Sequence, residues 1–326
     1  MGKFLVFDVG GTFTKYALMT EDGDVIEKNK YPTVLRGEGA DAEGFVASIE
    51  AVYRKVCQDN DIEGIAMSLP GQIDVDHGIV YGGGALGYLD EVNVGDLISK
   101  SCDGIRVALE NDGKCAALAE VWKGNAKDIK DACVLIIGTG VGGGVIMDRK
   151  VHRGNRMLAG EFSFFISSMR REQLEGLGRL EDTVSLPDSF EKFSFLESSR
   201  STAASLCHRA ASLKGIKYED MNGELIYRLA REGDKDMQEL LEDIYFNIAK
   251  LCLTLYVAYD PDVILIGGGI SAEPAFFEGI MRYVDRMKGM AKIYRGINID
   301  ICKFRNDSNL IGAIFNFKQK YNIPTE

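Results

Sequence analysis

The 326-residue chain is 46% hydrophobic with six prolines, an ordinary globular composition with room for two domains and a large core. Its net charge of -11 argues against a nucleic-acid partner, since no basic stripe is present and MRREQ near Arg170 is offset at once by acids. No apolar run approaches the ~20 residues of a membrane span and no leader-like segment opens the chain, while seven scattered cysteines without a CxxC pair read as free thiols of a reducing cytoplasm.

The first elements in chain order come from FLVFDVGGTFTKYALMTEDGDVIEK: an apolar strand, a bend at DVGGT (8–12), an alternating strand, a turn at EDGD and a third strand. AEGFVASIEAVYRKVCQ has helical apolar spacing, and GIAMSLPGQID reads as a buried strand entering a Pro-Gly loop. YGGGALGYLD follows, then a helix over 94–101, the strand IRVALEND and the helix GKCAALAEVWKG. CVLIIGTGVGGGVIMDRKVHRG then repeats the opening layout about 130 positions on, which is what an internal duplication leaves. After it come AGEFSFF (159–165), a polar stretch over 167–188, and several helices. The longest keeps Leu241, Ile244, Tyr245, Ile248, Leu251, Cys252 and Leu255 on one face. It ends at Asp260-Pro261, before the buried strand VILIGGGIS. No low-complexity linker divides the chain, so two tightly joined lobes with a cleft between them are expected.

GTGVGG (138–143) matches the G-x-G-x-x-G pattern of dinucleotide loops, but that loop must open a helix, and here a second strand, VIM, follows. A glycine bend between antiparallel strands can still hold phosphate, because successive amides converge on an anion with no side chain in the way. Any one such bend is as easily a plain turn. Four together are harder to dismiss: DVGGT, GTGVGGG (138–144), IGGGIS (266–271) and LENDG (109–113).

In this set the chain resembles the ROK-family sugar kinases of the actin and hexokinase superfamily, from Lys3 to about Phe317. The resemblance implies an α/β fold of two duplicated ribonuclease-H-like lobes, with residues 1–114 plus about 308–326 forming one lobe and 115–307 the other. It implies ATP and Mg2+ as cofactors, with Asp8 near the magnesium through water and Gly10, Gly11 and Thr12 facing the transferred phosphate. Thr139 and Gly140 would face the other phosphates, and Gly268 and Gly269 the nucleoside. Asp112 would be the catalytic base that orients the sugar hydroxyl and takes its proton. A residue at a strand-to-helix junction can also serve simply as a helix cap. The sugar would be held by Asn111, Asp112, Glu161 and Glu197, with Gly83 and Gly84 on its other side; Glu197 reads equally as a surface glutamate.

The departures narrow the expectation. Most of the family has GExGH, whereas this chain has GEFSF with Phe164 in the histidine position, and the cysteine cluster is absent from 165–196. No zinc site is expected from those ligands. A β-glucoside kinase branch shares this loss, and it also resembles the chain in SLPGQID, the glycine loop after it, and GELI (223–226). The expected activity is therefore ATP-dependent phosphorylation of the 6-hydroxyl of a β-glucoside such as cellobiose. The lost metal would free the loop, and Phe162, Phe164 or Phe165 would stack on the second sugar ring. A glucokinase or N-acetylmannosamine-type kinase is the alternative, with the phenylalanines filling the vacated volume. A non-catalytic sugar sensor should have lost Asp112 or a phosphate glycine, and the repressors of the family carry a helix-turn-helix ahead of DVGGT, for which no room is expected. The expected protein is a cytoplasmic homodimer with a small-molecule sugar substrate.

Overall fold

Six successive buried residues, Phe4 to Val9, make the first strand a central one, covered on both faces. In the computed structural model, which describes residues 2–174, 178–179, 186–304 and 307–325, the chain divides into two compact units. Unit one is Met1–Asp128, Lys150–Ala159 and Asn306–Glu326; unit two is Ile129–Arg149 and Gly160–Arg305.

The first sheet runs β3 (Val25–Pro32), β2 (Phe13–Thr20), β1 (Lys3–Val9), β4 (Gly64–Leu69), β8 (Val107–Asn111). β1 pairs antiparallel with β2 and parallel with β4, and β4 pairs parallel with β8. At the edge, β3 is polar and exposed, with Glu27, Lys28 and Lys30 discouraging further pairing. Helix α1 (Ala42–Val56) buries Phe45, Ile49 and Tyr53 at i, i+4 and i+8 and is capped by Asp41, whose side chain accepts from the Gly44 amide. A small sheet of β5 (Gln72–Asp74), β6 (Ile79–Tyr81) and β7 (Val92–Asn93) follows, then α2 (Val94–Ser101).

Helix α3 (Asp112–Lys123) leaves β8 and packs on α9 (Ser308–Lys320). A Cβ at Gly312 would overlap the Cys115 carbonyl, so only glycine lets these two helices approach so closely. Trp122 stacks on Phe315 at 5.3 Å, and Phe317 meets Phe4 edge-on at 5.1 Å. The packing of α3 on α9 keeps α3 in unit one, which runs on through Asp128.

The second sheet has the order β11 (Lys150–His152), β10 (Val141–Met147), β9 (Ala132–Ile137), β12 (Val263–Gly267), β13 (Ile299–Ile301). Again an antiparallel pair, β10–β9, is followed by two parallel ones, β9–β12 and β12–β13, the same pattern that β2-β1-β4-β8 shows. The duplication read from the two glycine-rich repeats is thus present in the topology. Helices α4 (Leu186–Lys192), α5 (Ala203–Lys214), α6 (Gly223–Arg231), α7 (Lys235–Tyr259) and α8 (Pro274–Lys288) complete the unit. All seven residues assigned to the apolar face of α7 are buried in its core. The helix stops at Asp260, left-handed at φ 46°, with Pro261 behind it. Of the polar stretch over 167–188, residues 175–177 and 180–185 lie outside the described residues. Among the described residues no helix is long and apolar enough to cross a membrane.

Candidate active site

In unit one the site residues lie at the ends of β1, β4 and β8. Asp8, near the end of β1, is 6% exposed. Its Oδ2 accepts from Lys15 Nζ at 2.9 Å, and its Oδ1 accepts from Asn309 Nδ2 at 2.9 Å and from Ser68 Oγ at 3.4 Å. Strand register explains the first contact, because Asp8 and Lys15 are directly paired across the β1–β2 hairpin. The bend between them closes with the Gly10 amide on the Phe13 carbonyl at 3.1 Å, leaving Gly11 and Thr12 exposed. A Cβ on Gly11 would stand 3.5 Å from that of Ala85, so the first phosphate bend lies beside the YGGGAL loop. That loop needs its glycines: Gly82, Gly83 and Gly84 have φ of 71°, 42° and 55°, and a Cβ on Gly83 would overlap the Leu86 carbonyl.

β8 delivers Asn111 and Asp112 to the same region. The helix cap is Asn111, not Asp112: Asn111 Oδ1 accepts from the Lys114 amide at 3.1 Å while its Nδ2 donates to the Gly71 carbonyl at 2.9 Å. Asp112 is the first helical residue, partly exposed, with Oδ1 2.8 Å from the Gly113 amide. The capping that could have explained Asp112 is done by its neighbour. Strand register gathers these acids, since Asp8 pairs with Ser68 and Ser68 with Glu110 across β1, β4 and β8, and the buried Cys115 thiol is pushed well up by burial, then by the negative charges of Glu110, Asp112 and Asp8, against a lowering hydrogen bond with Ser68. Asp8, Gly11, Gly83, Gly84, Asn111 and Asp112 are therefore one cluster within the unit.

Unit two gathers the rest. The bend between β9 and β10 closes with the Gly138 amide on the Gly140 carbonyl at 2.9 Å, leaving Thr139 exposed at its tip. The Gly138 carbonyl accepts from the Ala203 amide at 3.0 Å, in the first turn of α5, and Ser163 Oγ accepts from the Val141 amide at 2.8 Å. Gly268, with φ 98°, lies against the base of this bend, where a Cβ would overlap the Ile137 carbonyl. Gly269 beside it lines a cavity of about 690 Å³ together with Ala203, Leu206, Asn222, Glu224 and Tyr227. Gly138–Gly140 and Gly268–Gly269 are thus brought together.

Glu161 precedes a short 3-10 turn, Phe162–Phe164, whose end is closed by the Phe165 amide on the Phe162 carbonyl at 3.0 Å. The three phenylalanines are not equivalent. Phe162 is fully buried in the core and Phe165 packs edge-on against it at 5.5 Å, so Phe162 offers no face to a ligand, whereas Phe164 is 56% exposed. Nor are the residues directly after this turn loose. Ile166 bridges Leu196, the Ser167 amide donates to the Phe195 carbonyl at 2.7 Å, and the Glu197 amide donates to the Phe165 carbonyl at 2.9 Å. Over the described residues, these ties and Lys250, whose Nζ donates to Ser167 Oγ at 2.6 Å, run against the expectation that loss of the cysteine cluster frees the loop. Glu197 is no surface residue: it is 2% exposed, accepts from Ser201 Oγ, and lies 3.8 Å from the Lys250 ammonium.

Comparison with known proteins follows the same lines. The ROK family model matches residues 5–173 and 196–320. The chain belongs to the ROK family. It is 29% identical over 320 residues, 98% of this chain and 99% of the other, to a beta-glucoside kinase of Listeria monocytogenes. It is also 26% identical over 326 residues to a glucokinase of Halalkalibacterium halodurans, with 97% and 94% of the two chains covered. A ROK family protein from Streptococcus pneumoniae, solved in complex with sucrose, superimposes with a TM-score of 0.80 at 27% identity, covering 98% and 99% of the chains. With the two-lobe α/β fold and these relatives, this ROK protein is a sugar kinase, a phosphotransferase.

Sequence reasoning missed Lys15, Ser68 and Asn309 around Asp8, Ser163 under the second bend, and Lys250 behind Glu197. Only Lys15 carried a local signal, since a hairpin closed at DVGGTF puts it opposite Asp8. The others come from elements distant along the chain.

Proposed function

We propose that this ROK-family sugar kinase transfers the γ-phosphoryl group of ATP to the 6-hydroxyl of the non-reducing glucose of a β-glucoside such as cellobiose. Asp112 accepts the hydroxyl proton as the new O–P bond forms and the bond to the departing ADP oxygen breaks. The exposed bends at Gly10–Thr12 and at Thr139–Gly140 offer backbone amides to the spread charge of the phosphates, and the cavity beside Gly269 receives the nucleoside. Asn111, with Gly83 and Gly84 near it, and the acids Glu161 and Glu197 hold sugar hydroxyls.

A magnesium ion would neutralise phosphate charge. Its fit rests on Asp8, a hard oxygen donor beside the first bend; a single carboxylate suits a cation that keeps most of its waters. Among the described residues no group of three or more His, Cys, Asp or Glu could cage a metal.

The observation that carries the substrate reading is Phe164: it is the exposed ring of GEFSFF, three residues from Glu161, and gives the apolar face of a second sugar something to stack on. The disaccharide in the pneumococcal relative supports an opening of that size. The tied Phe165–Ser167 loop favours a second reading, a closed pocket for glucose or N-acetylmannosamine. A coupled ADP-release assay decides between them through kcat/KM for cellobiose against glucose, the ratio that measures differential transition-state binding; a strong preference for the monosaccharide removes the β-glucoside reading and leaves the kinase standing. A non-catalytic sensor is disfavoured because Asp112 and every phosphate glycine are present. The net charge of -11 and free cysteines support a cytoplasmic protein without nucleic-acid partners, and we propose a homodimer, which sedimentation velocity tests.

A further inference from the structure

Glu110 is fully buried at the residue before Asn111, and nothing in the proposed chemistry uses it. Both of its carboxylate oxygens are engaged. Oε1 accepts from the backbone amide of Asn111 at 2.9 Å, while Oε2 accepts from Arg153 Nε at 2.9 Å and from Arg153 Nη2. Arg153 Nη2 also donates to Asn316 Oδ1 at 3.2 Å, and Asn316 Nδ2 donates to the Leu109 carbonyl at 3.0 Å. The network therefore grips the backbone at Leu109 and at Asn111, with the Glu110 side chain between them. Asn111 is in turn tied to Gly71 and Lys114. Asp112 follows directly on this junction.

A buried ion pair is by itself weak evidence for stability, because apolar residues of the same volume often serve as well. An apolar pair could not accept the Asn111 amide or reach Leu109 through Asn316. We propose that Arg153 and Glu110 are positioning residues that aim Asp112 at the sugar hydroxyl, acting through the strand-to-helix junction. The proposal rests on Asp112 being the catalytic base. A misplacement of about 1 Å at such a site costs on the order of 10²-fold in rate.

The test is an Arg153→Ala series in the full-length protein. Arg153 is itself 26% exposed on its side chain, so added guanidinium can reach the space it vacates. The expected result is a kcat lower by about 10²-fold, KM for sugar and for ATP within a few-fold of wild type, and recovery of roughly tenfold or more with millimolar guanidinium. Sodium at equal ionic strength should not rescue. Arg153→Lys, which keeps the charge but not the two-pronged donor, should fall between; it carries the same kcat-against-KM comparison if the alanine variant does not fold. A folded variant with near wild-type kcat, or a loss that follows only the unfolded fraction and ignores guanidinium, overturns the proposal. Asp112→Asn measured alongside separates the two failures: if it is inactive while Arg153→Ala is active, only the positioning role is lost, and if it turns over normally the base assignment falls first.

Discussion

Replacing Asp112 with asparagine separates structure from chemistry, because the two roles open to this residue fall on different side chains. Asn111 supplies the cap of α3, so Asp112→Asn leaves the cap bond to Lys114 intact and keeps a side-chain oxygen near the Gly113 amide. The negative charge removed from the first helical turn is worth about 0.3–1 kcal/mol. What the reaction loses is a proton acceptor, worth about 10²–10⁴ in rate, or roughly 3–5 kcal/mol of barrier at 1.36 kcal/mol per decade. The barrier effect exceeds the stability effect severalfold, so the variant should melt within a few degrees of the parent, bind ATP nearly as well, and lose two to four decades of kcat. The measurement pairs coupled ADP release with thermal unfolding and ATP titration. Turnover within tenfold of wild type in a folded variant would show that Asp112 is not the base.

Gly268→Ala places a Cβ on the Ile137 carbonyl at a φ of 98°, a region that costs a non-glycine residue about 1–3 kcal/mol; KM for ATP should rise tenfold or more with KM for sugar little changed, and equal shifts in both would remove the nucleoside assignment. His77 is held by Asp74 at 2.8 Å, a hydrogen bond that raises its pKa above the ordinary value of about 6.5. The stabilisation from this pair should be fully present below about pH 6.5 and fade as pH rises through the raised value, since the imidazolium is the bonded form; an NMR titration of His77 giving an unshifted pKa, or no change in it on Asp74→Asn, counts against the pair. Metal analysis of purified untagged protein should find no stoichiometric zinc, and one zinc per chain would point to ligands outside GEFSF and the 165–196 segment.

Much of the fold was legible because its signals are local. A strand, a glycine bend and a strand declare themselves within ten residues, and two copies of that pattern imply a duplicated topology before any contact is known. The same locality made Asp8, Asn111 and Asp112 readable as strand-end residues, and it places Lys15 opposite Asp8 through hairpin register alone. Local pattern could not choose between Asn111 and Asp112 as the cap, since either side chain suits a strand-to-helix junction and a one-residue difference in where the helix begins decides it. Nor could it rank the phenylalanines of GEFSFF: in a single 3-10 turn the residue that faces inward is set by what packs below, here the core that takes Phe162 and leaves Phe164 to solvent. The remaining contacts join residues far apart in sequence: Asn309 to Asp8, Lys250 to Glu197, and Arg153 to Glu110 and Asn316. A polar side chain carries no mark of its partner along the chain; it finds one only when folding buries both, and the cost of leaving a buried charge unpaired then makes the pairing obligatory.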